Sequence, residues 1–179
     1  MNFIDRFDFY FILVLICSIC ILLFIISGLS ISYQEAILYF SDDNLTSKLA
    51  RFSTNIFGTN DYTFRIPNII LFALNLTLIY LISNKVLKHK KDSILCVIIY
   101  ALLPGAIMQG ALLNQSSIIL FFVLLICYIE IAYNKITYFL LVVCIFLGSS
   151  IFMLFLALFF YAISLKKQKL PYLHLCVFL

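Results

Sequence analysis

Between Phe9 and Ile31 the chain runs 23 residues without one charged side chain. About 20 apolar residues of helix cross the hydrocarbon of a bilayer. Inside lipid every backbone polar group must be satisfied within the protein, which leaves helices and closed barrels as spanning structures. Long unbroken apolar runs, rather than strict alternation, select the helix. Three more such runs follow: 66–84, 93–129 with 37 residues, and 136–165 with 30. A water-soluble domain with 65% hydrophobic residues, 11% charged residues and a mean hydropathy of +1.15 would expose large apolar patches and precipitate. The expected fold class is all-α, a polytopic membrane helix bundle.

The 93–129 run is too long for one span and about right for two. Pro104-Gly105, Gln109-Gly110 and Asn114-Gln115-Ser116-Ser117 interrupt it, and such breakers predict a tight turn at the membrane surface. A single helix over 136–165 would be about 45 Å long, beyond the hydrocarbon thickness. A hairpin meeting at Gly148-Ser149-Ser150 is the preferred alternative. Expected spans are therefore 9–31, 66–84, 93–108, 111–132, 136–147 and 150–165, about six spanning or half-spanning helices in one membrane domain. The polar loop 32–65 separates the first two.

Charge sets the expected orientation. Lys85, Lys88, Lys90 and Lys91 form the strongest positive cluster, and Lys166, Lys167 and Lys169 a second. Positive loops stay cytoplasmic. The N-terminus then lies in the cytoplasm, the 32–65 loop outside, and the hairpin returns the second cluster to the cytoplasm. These lysines suit anionic lipid headgroups better than nucleic acid, so the net charge of +4 is a topology signal. Abundant Ile, Phe, Lys, Asn and Tyr suggest an AT-rich genome and a bacterial inner membrane.

Cys17 and Cys20 are spaced as CxxC, but a lipid-buried helix solvates neither a thiolate nor a metal, and no second pair or nearby His supports zinc. The first run is longer than a signal-peptide core and is read as a retained anchor. After Lys169 a further apolar element begins and stops within ten residues, the pattern expected of a piece of a longer product.

The loop is where lipid solvation fails to explain the residues. Ala36, Ile37 and Phe40 fit one face of a short helix, and Leu45, Leu49, Phe52 and Ile56 form a stripe on a second. Helices of this kind lie in the interface on their apolar faces. Two of them roofing a bundle would enclose a cavity where a lipid-borne donor meets a water-borne acceptor.

Gln34-Glu35-Ala36 follows the first span, Arg51-Phe52-Ser53-Thr54-Asn55-Ile56-Phe57-Gly58 ends the second loop helix, and Phe64-Arg65-Ile66-Pro67 leads into the second span. Leu103-Pro104-Gly105, the turn at Asn114-Gln115 and the Gly148 tip come next in order. This series resembles the GT-C membrane glycosyltransferases of the protein O-mannosyltransferase and aminoarabinose transferase group, over their N-terminal third. The resemblance implies a GT-C fold, a polyprenyl-phosphate-linked sugar donor, a lipid or protein acceptor, and inverting transfer at the external face. The chain departs from it at Gln34, where the group carries a catalytic Asp. An amide cannot take the acceptor's proton.

Under that resemblance the candidate catalytic residues are Glu35, Asp42 and Asp43. Arg51 and Arg65 are the candidate holders of the donor phosphate, through charge-assisted guanidinium contacts. Gln34, Asn114 and Gln115 are candidate cavity-lining residues. Each has a plainer alternative. Glu35 suits a helix N-terminus, and Asp42 and Asp43 suit caps. The arginines can pair with Asp42, Asp43 or Asp61 or reach headgroups, and Asn114 and Gln115 can cap the turn. No resident cofactor is required and no metal site is assigned, although the Asp pair leaves room for a divalent cation. Expected partners are membrane lipid and the polyprenyl-phosphate sugar, with no nucleic acid and no specified protein. The alternative function is a non-catalytic remnant or a membrane subunit with a packing role.

Overall fold

A computed structural model of the protein describes residues 6–40 and 44–133. The chain divides into two units, Met1–Lys135 and Ile136–Leu179. The second unit, with the expected hairpin, lies outside the described residues, as do Asp42 and Asp43. Among the described residues the fold is all helical and contains no strand: α1 (Arg6–Ser27), α2 (Tyr33–Phe40), α3 (Leu45–Phe57), α4 (Asp61–Val86), α5 (Lys90–Leu102), α6 (Pro104–Ala111) and α7 (Ser116–Tyr133).

Helix α4 is the axis. It packs against α1, α3, α5, α6 and α7. One stripe, Phe72, Leu76 and Tyr80, meets Leu22 and Ile26 of α1, Val97 of α5, and Ala106 and Ala111 of α6. Apolar burial alone drives little association in lipid, so close approach and buried polar bonds must hold such a bundle. Gly110 supplies the close approach. A β-carbon there would lie 2.9 Å from Leu22 Cδ1 and 3.1 Å from the Phe72 ring, where α1, α4 and α6 converge.

Helices α1 and α4 are each long and apolar enough to cross a membrane. Helices α5 and α6 make a third span only as a bent pair, with 65° between them. The bend follows from Pro104, which lacks an N–H and whose ring opposes the carbonyl four residues back. The breakers at 104–110 therefore do two jobs. Pro104 sets the bend between α5 and α6, and Gly110 lets α6 pack closely before the chain leaves the helix between Ala111 and Ser116.

The ends of the bundle are chemically distinct. Asp8 of α1 accepts a 2.7 Å hydrogen bond from Tyr80 Oη, and Phe11 stacks on that ring at 4.2 Å. This end carries Lys85, Lys88, Lys90 and Lys91. The other end carries α2, α3, the start of α4 and the α6–α7 turn.

Helix α3 is amphipathic with its polar side inward. Thr46, Ser47, Ala50, Ser53 and Thr54 are buried, whereas Leu45, Phe52, Ile56 and Phe57 are exposed, Phe52 by 65%. Ile37 and Phe40 of α2 face outward too. The expected apolar stripe is thus an outer surface of the bundle. Gly58, at φ +87°, ends α3 with its N–H on Thr54 O, a conformation that favours glycine.

Candidate functional site

The centre of the polar end is a buried ion pair. Arg65 is 0% exposed and Glu35 2%. Arg65 Nε donates to Glu35 Oε1 at 3.0 Å and Nη2 donates to Oε2 at 2.9 Å, a two-pronged contact that fixes both planes. The guanidinium also donates from Nη1 to Leu29 O at 2.9 Å and from Nη2 to Ser30 O at 3.0 Å. Four of its five N–H groups are committed within the protein.

The carboxylate is equally occupied. Oε2 also accepts the Ser32 amide at 2.9 Å, and Oε1 accepts the Leu113 amide at 2.8 Å. A carboxylate has about four lone-pair positions, and all are used. Burial alone would raise the Glu35 pKa. The Arg65 hydrogen bonds, the Ser32 and Leu113 amides and the Arg65 charge outweigh it, and the net direction is down. Glu35 is therefore ionised, enclosed and fully bonded, and has no lone pair left for a substrate hydroxyl in this arrangement. The geometry makes Glu35 and Arg65 a clasp. It gathers the chain after α1, the first turn of α2, the start of α4 and the α6–α7 turn at one point.

Two further residues complete the clasp: Asn68, which sequence reasoning missed, and Ser117, which it gave only as part of the turn. Asn68, 0% exposed, lies one turn beyond Arg65 and donates from Nδ2 to Gln109 O at 3.2 Å and also to Leu112 O. Ser117 Oγ donates to Gln109 O at 2.7 Å. These carbonyls close α6, where the last turn has no helical donors. Irregular backbone at membrane depth is stable only when such groups are satisfied. The available signal was an Asn among apolar residues, three positions after an Arg on the same helix face.

A third link joins α3 to α4. Pro67 has no N–H, so the Thr63 carbonyl, four residues earlier, loses its helical donor. Ser53 Oγ donates to Thr63 O at 2.6 Å and fills that place. Thr63 Oγ1 in turn accepts the Asn60 amide at 2.9 Å as α4 begins.

The other candidates are placed as follows. Gln34 is exposed beside the buried Glu35. Arg51 Nε donates to Tyr39 O at 2.9 Å, and its guanidinium carbon lies 5.9 Å from the Tyr39 ring centre. Tyr39 Oη is 2.8 Å from Thr54 Oγ1, so α2, Arg51 and α3 form one unit. Asn114 Oδ1 accepts from the Ser117 amide at 3.1 Å and from Ser116 Oγ at 2.7 Å, which makes it the cap of α7. Gln115 is half-buried in the same turn. Among the described candidates the clasp thus unites Glu35 and Arg65 alone. Asp42 and Asp43 lie outside the described residues.

No curated protein and no solved structure matches the chain. The family model of dolichyl-phosphate-mannose-protein mannosyltransferases matches residues 45–179. That span takes in the α3–α4 link, the Arg65-Ile66-Pro67 lead, the bent α5–α6 pair and the capped α6–α7 turn. The chain is a membrane protein of the dolichyl-phosphate-mannose-protein mannosyltransferase family, a group of GT-C glycosyltransferases.

Proposed function

We propose that the chain forms the membrane part of a transferase that takes a sugar from a polyprenyl phosphate at the clasped end of the bundle. The observation that carries this reading is the cap of α2 and α3 over the α6–α7 turn. Its outward face is apolar, at Ile37, Phe40, Phe52 and Ile56, and suits a prenyl chain. In this reading Arg51 turns to the donor phosphate, Asp42 or Asp43 takes the acceptor proton, and Gln34, Asn114 and Gln115 line the space between. Glu35 and Arg65 position these groups through the clasp and do not touch substrate. In this reading the lysine-rich end faces the cytoplasm, in line with the positive-inside rule, and the clasped end faces outward from a bacterial inner membrane.

The test uses the full chain in liposomes with tritiated dolichyl-phosphate mannose, following loss of label from the lipid. Turnover that falls at least tenfold in Arg51→Ala supports the reading. A donor that stays intact overturns it and favours a packing subunit.

That second reading has one observation of its own. Gln34, an exposed amide, stands where the family resemblance puts a catalytic Asp, and an amide is no base. Turnover that appears only in Gln34→Asp would establish it.

A further inference from the structure

At the lysine end, away from the clasp, an apolar groove of about 280 Å³ runs between α1 and α5. Tyr10, Leu13 and Val14 form one wall, Ile94 and Ile98 the other, and Lys91 stands with them as the groove's one cation. From Lys91 to Ile98 is seven residues of helix, about 10 Å, so the groove descends from the charged end into the apolar zone. Its chemistry is that of an amphiphile, with an anion at the mouth and a hydrocarbon chain below.

The surroundings favour an anion. Exposed Lys85, Lys88 and Lys91 lie within seven residues, with Lys90 and His89 between them, and Arg6 begins α1. Among the described side chains two carboxylates oppose them. Asp8 accepts the Tyr80 hydroxyl at 2.7 Å, and Asp92 is exposed at the start of α5. Cations therefore dominate the mouth. We propose that this groove binds an anionic phospholipid, its phosphate on Lys91 and an acyl chain between α1 and α5. The site is separate from the proposed sugar-donor site and does not depend on it.

The chain contains no tryptophan, so one introduced Trp is its sole indole emitter. The full chain carrying Leu13→Trp is placed in phosphatidylcholine bilayers doped with either brominated phosphatidylglycerol or brominated phosphatidylcholine. Tyr10→Trp, a milder change in the same groove, is the second reporter. Phe24→Trp, exposed near the other end of α1, is the control. Brominated phosphatidylglycerol is expected to quench the groove reporters at about fivefold lower mole fraction than the choline lipid, the advantage of roughly one basic side chain at an anionic surface. Lys91→Glu should erase that preference, and Phe24→Trp should show none. Equal quenching by both lipids at Leu13 and Tyr10, or a preference that survives Lys91→Glu, overturns the proposal. So does protection from both lipids, which would mean that another protein segment fills the groove.

Discussion

Glu35 and Arg65, thirty residues apart, share two hydrogen bonds of 3.0 and 2.9 Å with almost no access to the surroundings. Taking two charges out of solvent costs several kcal/mol each, and mutual attraction offsets this only with good geometry and full hydrogen bonding. The geometry is two-pronged, and four of the five guanidinium N–H groups and all the carboxylate positions are used, with the backbone of Leu29, Ser30, Ser32 and Leu113 as the other partners. Removing one partner leaves the other charge buried and uncompensated. Arg65→Met or Glu35→Gln should each cost about 3–5 kcal/mol, read as a lower midpoint in SDS-driven unfolding from mixed micelles.

The clasp should be acid-labile in one direction. The Glu35 pKa is lowered on folding from the usual 4.5. Its contribution to stability is then fully present above that value and is lost as pH falls through the lower folded value. Thermal melts of the wild-type protein should show this loss below about pH 4.5, and Glu35→Gln should lack that component. A Glu35→Gln profile parallel to wild type throughout would count against the assignment.

Ser53 and Pro67 should be coupled through the Thr63 carbonyl, although they do not bond each other. Ser53→Ala strands that carbonyl and should cost about 1–3 kcal/mol. In Pro67→Ala the restored amide can serve the same oxygen, so Ser53→Ala should cost much less in that background. Equal costs in both backgrounds, measured by the same unfolding assay, would rule out the link.

Gly110 should resist even one added methyl. Leu22 and Phe72 stand within 2.9 and 3.1 Å of its missing β-carbon, on two different helices. Gly110→Ala should destabilise by about 1–3 kcal/mol through overpacking. Leu22→Ala should recover part of that loss in the double variant. The readout is the unfolding midpoint of the four proteins in the cycle.

The helices were legible because lipid imposes a simple rule: charge-free runs of sufficient length become spans. The runs Phe9–Ile31 and 66–84 fall on α1 and α4, the two described helices long and apolar enough to cross a membrane. Helix α4 begins earlier, at Asp61, because Asn60 and Thr63 start it above the expected boundary. The stripe Leu45, Leu49, Phe52 and Ile56 marked α3 from its spacing. What periodicity could not give was function by side chain. Glu35 and Arg65 look like solvent-facing loop residues in sequence, and only the fold brings them together beneath the cap. Asn68 was passed over because a neutral amide left the 66–84 run free of charge, and Ser117 was read only as part of the turn. Their role depends on carbonyls freed by the α6–α7 turn. Pro104 was read together with the turn residues that follow it, and the structure adds that it separates α5 from α6 with a 65° bend.

The most direct measurement is a double-mutant cycle on Glu35→Gln and Arg65→Met, with unfolding free energies taken from SDS titration in mixed micelles. The clasp predicts strong coupling, with the double variant more stable than the sum of the two losses allows by at least about 1.5 kcal/mol. Losses that add to within about 0.5 kcal/mol would show that the two residues act separately, and the polar loop would have to be held by something other than this pair.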